Sequence, residues 1–140
     1  MKNISRPVLL VEDDDVDAMT VRRALKDLNV TNPLARTTNG EEALAYLKNN
    51  ENKKPCIILL DLNMPRMNGI EFLQVIKLDD KLRKIPIVVL TTSREERDKI
   101  DSFKLGVAGY MLKGIDYKGF VEIVRTISLY WTLSELPDDE

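Results

Sequence analysis

The 140-residue chain contains no histidine. That absence removes the Ser/His/Asp and Cys/His catalytic arrangements, histidine-rich zinc sites and any histidine general base together. Whatever chemistry the chain performs must use carboxylates, lysine, hydroxyls or a metal. Cysteine is nearly absent as well: Cys56 stands alone, so no internal disulfide can form and a reducing compartment is the simpler setting. Taken by itself, Cys56 reads as a small core residue. No apolar run approaches the roughly 20 residues of a membrane span, and the opening MKNISRPVLL lacks the pattern of a signal peptide. A net charge of -2 supplies no general attraction for nucleic acid or for an anionic membrane. The expectation is a cytoplasmic protein that partners neither.

What is present is an ordinary globular balance, 44% apolar and 31% charged, in a length that makes one domain with a sizeable core. Short unbroken apolar runs recur at Val8–Val11, Ile57–Leu60, Ile87–Leu90 and Ala108–Leu112. Runs without polar alternation suit strands buried on both faces, hence a parallel sheet. A further strand fits Leu34–Thr37, between Pro33 and the Asn39-Gly40 turn signal. Between the strands the period becomes helical, as at Val21, Ala24, Leu25 and Leu28. Further helices are predicted over Glu41–Lys48, Gly69–Leu78, Arg94–Leu105 and Tyr117–Leu133. Strand and helix thus alternate without a linker, which predicts a doubly wound α/β domain with a five-stranded parallel sheet and right-handed crossovers.

In such a sheet, ligands bind beyond the carboxyl ends of the strands, where strand order reverses. The chemistry of this chain sits where its apolar runs stop. The first run ends on Glu12, Asp13, Asp14 and Asp15, the third strand on Asp61, the fourth on Thr91 and Thr92, and the fifth on Lys113. These residues are expected to converge on one crevice. Crowded carboxylates repel unless a cation neutralises them. A hard oxygen cluster without histidine or thiolate favours Mg²⁺. Asp61 can then act as an anionic nucleophile towards phosphorus, giving an aspartyl phosphate. The metal and the Lys113 ammonium would neutralise the transferring phosphoryl group, and Thr91 offers a hydroxyl to a phosphate oxygen. Each residue alone has a plainer reading: any single aspartate as a turn or helix-capping residue, Lys113 as a solvated charge, Tyr110 as a half-buried aromatic. Their combination at successive strand ends favours the site.

The stretches VLLVEDDD, IILLDLNMPRMNG, IVVLTTS and AGYMLKG, in this order and spacing, resemble the receiver domains of two-component response regulators over nearly the whole chain. The resemblance implies a flavodoxin-like topology and a single receiver domain over residues 1–140, with 129–140 as the helix end and tail. It implies a switch that accepts a phosphoryl group from a sensor histidine kinase onto Asp61. Glu12 and Asp13 would bind Mg²⁺ with Asp61 and the backbone carbonyl of Asn63, Lys113 would pair with the phosphoryl group, and Thr91 and Tyr110 would be switch residues. The missing histidine fits, because in this family the phosphohistidine belongs to a separate protein.

Two departures from the family pattern stand out. Gly114 follows Lys113 where the family usually has a proline with a cis peptide; a cis bond before a residue other than proline costs about 3 kcal/mol, so a trans bond is expected. No output domain is expected after the receiver region, because neither a DNA-binding helix-turn-helix nor a catalytic effector fits in ISLYWTLSELPDDE. That ending resembles receivers that stand alone and work with phytochrome-type kinases. A homodimer through the last helix and the adjoining edge of the sheet is expected, because Phe120, Val124, Ile127 and Trp131 form a core stripe and leave Ile123 and Tyr130 at its margin. Two other functions compete. A Mg²⁺-dependent phosphatase using Asp61 is disfavoured because DLNMP lacks a second acid two residues on. A receiver-like module that is never phosphorylated is disfavoured by the intact acid, threonine and lysine set. Self-phosphorylation from phosphodonors and self-dephosphorylation are the only activities expected.

Overall fold

The computed structural model describes residues 6–62, 64, 66–91, 94–102, 104–112 and 117–134, with the backbone alone at 91, 112, 123 and 127–134. In chain order the elements are β1 (Val8–Val11), α1 (Asp15–Asp27), β2 (Leu34–Thr37), α2 (Gly40–Lys48), β3 (Ile57–Asp61), α3 (Gly69–Lys77), a 3₁₀ turn (Leu82–Lys84), β4 (Ile87–Thr91), α4 (Arg94–Ser102), β5 (Gly109–Leu112) and α5 (Tyr117–Ser134). The strands form one parallel sheet in the order β2-β1-β3-β4-β5. Strand order reverses between β1 and β3, because the chain leaves β1 towards β2 and later returns to the other side of β1.

The unbroken apolar runs are explained by the two cores. Leu9, Val11, Ile58, Leu60, Ile87 and Val89 face α2, α3 and α4, packing with Ala43, Phe72, Ile76 and Ile100. Their strand neighbours Val8, Leu10, Ile57, Leu59, Val88 and Leu90 face the other way, against Ala18, Val21, Ala24 and Leu25 of α1 and Val124 of α5. Each such side chain contributes roughly 1.5–3 kcal/mol by leaving water, so neither face tolerates a polar alternation. Among the described residues, no helix is long and apolar enough to cross a membrane.

Helix starts are fixed by side-chain caps: Asp14 for α1, Asn39 for α2, and Asn68 with Glu71 in a reciprocal capping box for α3. The expected helix over Arg94–Leu105 is shorter. It ends at Ser102, because Lys104 takes a left-handed conformation (φ 56°) and the chain reverses, with Lys104 N–H donating to the Asp101 carbonyl and Leu105 N–H to the Ile100 carbonyl. Leu105 reaches the core from beyond the helix. A short 3₁₀ turn at Leu82–Lys84, not expected from the sequence, is entered through Asp79, whose Oδ1 accepts from the N–H groups of Lys81 and Leu82.

Candidate functional site

Parallel register aligns the ends of the central strands. Val11 pairs with Leu60, so the residues that follow, Glu12 and Asp61, stand side by side where strand order reverses. Asp61 pairs in turn with Leu90 of β4, and Thr91 with Leu112 of β5. The strands therefore deliver their terminal residues to one edge of the sheet. Glu12 is wholly buried and Asp61 is 2% exposed, whereas Asp13 is exposed. One carboxylate oxygen from each of these three residues lies within 4.8 Å of the other two.

The acidic run after β1 does not converge as a block. Glu12 and Asp13 join Asp61, but Asp14 and Asp15 take other work. Asp14 Oδ1 accepts from the backbone N–H of Val16 (2.8 Å) and Asp17 (3.0 Å), capping α1. Asp15 is ion-paired to Arg36 Nη1 at 2.9 Å. The plainer reading of a capping aspartate is thus correct for Asp14, and the expectation of a four-acid cluster is corrected to two acids from this run.

Local structure holds both buried acids in place. The Glu12 N–H donates to the Thr37 carbonyl (2.9 Å), its carbonyl accepts from Arg36 Nε (3.0 Å), and its Oε2 accepts from the Asp14 N–H (3.2 Å). Behind Asp61, α3 begins hard against the end of β3. The Gly69 N–H donates to the Leu62 carbonyl at 3.1 Å, and a Cβ at Gly69 would stand 2.7 Å from Leu62 Cα and 2.8 Å from the Asp61 carbonyl oxygen. Only glycine allows that approach.

The three carboxylates fit a divalent cation on chemical grounds. All donors are hard oxygens, histidine and thiolate are absent, and two of the three are buried where like charges repel most strongly. An acidic cluster of this span suits one shared metal ion.

Tyr110 lies on β5, half-buried, with its ring on the α4 side of the sheet. Its hydroxyl donates to Asp101 Oδ1 at 3.1 Å and the Arg97 guanidinium sits 4.6 Å from the ring centroid. Burial, then the bond to Asp101, pushes the Tyr110 phenol above its usual range. Neither partner was singled out by the sequence, since exposed charges on an exposed helix carry no signal of their own. The same holds for Tyr117, whose hydroxyl donates to Asp27 Oδ2 at 2.6 Å under Arg23, tying the start of α5 to α1. Asn63, Thr92, Lys113 and Gly114 lie outside the described residues, as does the Lys113–Gly114 bond, and Thr91 is placed by its backbone alone.

This arrangement, a five-stranded doubly wound sheet with paired acids at the β1 and β3 ends, is that of a known class. The chain belongs to the response regulator receiver domain family, whose model matches residues 8–125. It is a receiver of two-component signalling, a switch controlled by phosphorylation, with the flavodoxin-like topology of that family. It is 38% identical over 133 residues to the response regulator Rcp1 of Synechocystis sp., covering 92% of this chain and 90% of that protein. The crystal structure of the phosphorylated cyanobacterial phytochrome response regulator RcpA is similar with a TM-score of 0.80 at 36% identity, over 91% of this chain and 94% of that one. The Mn²⁺-bound form of Rcp1 is similar with a TM-score of 0.78 at 37% identity, over 90% and 94% respectively.

Proposed function

We propose that Asp61 is the phosphoacceptor, and that the observation carrying this reading is its burial at the β3 end with the Glu12 and Asp13 carboxylates within 4.8 Å. An Asp61 carboxylate oxygen attacks phosphorus of a phosphohistidine; the P–O bond forms, the P–N bond breaks, and the imidazole leaves with its electron pair and takes up a proton. Attack of water on the same phosphorus later returns the free carboxylate and inorganic phosphate. Glu12 and Asp13, with Asp61 and the Asn63 backbone carbonyl, would hold Mg²⁺, which when bound neutralises charge on the phosphoryl oxygens. Lys113 pairs with the phosphoryl group, and Thr91 and Tyr110 change orientation in response. The likeness to a Mn²⁺-bound relative supports a divalent ion at this place.

The donor in this reading is a sensor histidine kinase of phytochrome type, suggested by the naming of RcpA as a phytochrome response regulator. The chain works in the cytoplasm, in keeping with Cys56 as a buried thiol outside any disulfide. It has no catalytic activity beyond gaining and losing its own phosphoryl group, and passes its state on through protein contacts. One such contact is a homodimer through α5 and the β5 edge. Phe120 and Val124 pack on the sheet as the stripe requires, while Ile123, Ile127, Tyr130 and Trp131 fall outside the described side chains. Sedimentation of wild type and Tyr130→Glu, with and without a phosphoryl analogue, tests the dimer; a monomer throughout refutes it. The phosphoacceptor reading is tested by mixing the chain with a phosphorylated phytochrome-type kinase. Label should pass to wild type and not to Asp61→Asn.

A further inference from the structure

Arg36 lies on β2, outside the acidic crevice, yet it grips the loop that carries two of the crevice's acids. Its Nε donates to the Glu12 carbonyl at 3.0 Å and its Nη1 pairs with Asp15 Oδ1 at 2.9 Å. Its Nη2 is buried with no hydrogen-bond partner among the described residues. A guanidinium placed for stability alone would not leave a buried donor unmatched, because that donor forfeits its hydration. The Asp15 carboxylate is 85% exposed, so the ion pair itself adds little. What the placement does achieve is geometric. Together with the bond from Glu12 N–H to the Thr37 carbonyl, Arg36 extends the β1–β2 ladder past the end of β1, so the Glu12 peptide is held from both its N–H and its carbonyl. The charge-assisted bond is the stronger of the two kinds. Pairing also draws Asp15 away from the crevice, so that it does not compete with Glu12 and Asp13 as a ligand.

We propose that Arg36 is a positioning residue for the divalent-metal site: it fixes the Glu12 peptide and sequesters Asp15, so that only Glu12 and Asp13 of the acidic run face Asp61. This rests on the metal reading of the crevice. It also makes a prediction opposite in sign to simple electrostatics. Removing a positive charge beside an acidic site should tighten cation binding, whereas removing a support that orients a ligand typically weakens it by tenfold or more.

The test is direct Mn²⁺ binding, followed by the electron paramagnetic resonance of the free ion, in wild type, Arg36→Met and Arg36→Lys. Thermal midpoints are measured in chelator alongside. Arg36→Met is expected to bind Mn²⁺ about tenfold more weakly. Arg36→Lys, which keeps the charge but loses the fixed fork, is expected to be weaker than wild type as well. Arg36→Met binding as tightly as wild type, or more tightly, overturns the proposal. So does a lowered midpoint with unchanged Mn²⁺ affinity, which marks Arg36 as structural only. Should Arg36→Met fail to fold, wild-type affinity in Arg36→Lys overturns it. If wild type itself binds no Mn²⁺, the metal reading of the crevice fails first.

Discussion

The Tyr110 hydroxyl on β5 is bonded to the Asp101 carboxylate on α4 across 3.1 Å. The helix it holds is otherwise thinly anchored, with Ile100 its only buried residue among those described. In the proposed switching role, Tyr110 must give up this bond to turn away from α4. Replacing Asp101 with Ala should therefore lower stability by at most about 1 kcal/mol, the net worth of one hydrogen bond, here to an exposed carboxylate. It should also bring the phenol back towards its ordinary range, because one of the causes raising it is removed. Denaturant unfolding and ultraviolet titration of Tyr110, compared with Tyr110→Phe, check both. An unchanged titration would show that the Asp101 bond does not contribute to the shift.

Gly69 is predicted to be irreplaceable. A methyl group there meets backbone atoms of Leu62 and Asp61 rather than a yielding side chain. Gly69→Ala should cost about 1–3 kcal/mol, as overpacking does. Because the displaced atoms belong to the β3 end, phosphorylation should slow by more than the stability loss explains. Unfolding and phosphorylation rates measured on the same preparation separate the two effects.

The acids after β1 should divide sharply by role. Asp14→Ala removes the α1 cap and should cost about 1 kcal/mol, with metal affinity nearly unchanged. Asp13→Asn should leave stability almost intact and weaken divalent-cation binding strongly. Equal effects of the two substitutions on metal affinity would show that the acids act as a block.

That division shows what the sequence could and could not convey. The sheet was legible, because strands buried on both faces must be unbroken apolar runs, and the acids at their ends were legible as a group. Which acid does which work was not, since Asp14 and Asp15 differ only in whether the chain has entered α1. Arg36 was hidden inside Leu34–Thr37, where a charged residue on an edge strand reads as solvated. The end of α4 was misplaced because Lys104 adopts the left-handed conformation without a glycine to announce it.

Glu42 should govern part of the acid response. The backbone N–H of Thr38, and then its hydroxyl, donate to the Glu42 carboxylate and hold it below the usual carboxylate range. A carboxylate lowered in the folded state contributes stability that is present above its unfolded value and is lost as pH falls through the folded one. Glu42→Gln should flatten the decline of stability over the interval in which pH falls through and below the ordinary carboxylate range. Unfolding free energies across that interval check it; an identical decline in the variant contradicts it. The carboxylate is exposed, so the effect should shrink in high salt.

Asp61 should take the phosphoryl group only with the acidic crevice intact and a divalent ion present. The most direct measurement is peptide mass mapping after incubation with Mg²⁺ and a small phosphodonor. A single phosphoryl increment is expected on the peptide that carries Asp61, absent from Asp61→Asn and absent when Mg²⁺ is chelated. An increment on another residue, or one on Asp61 that forms equally well without a divalent ion, would contradict it.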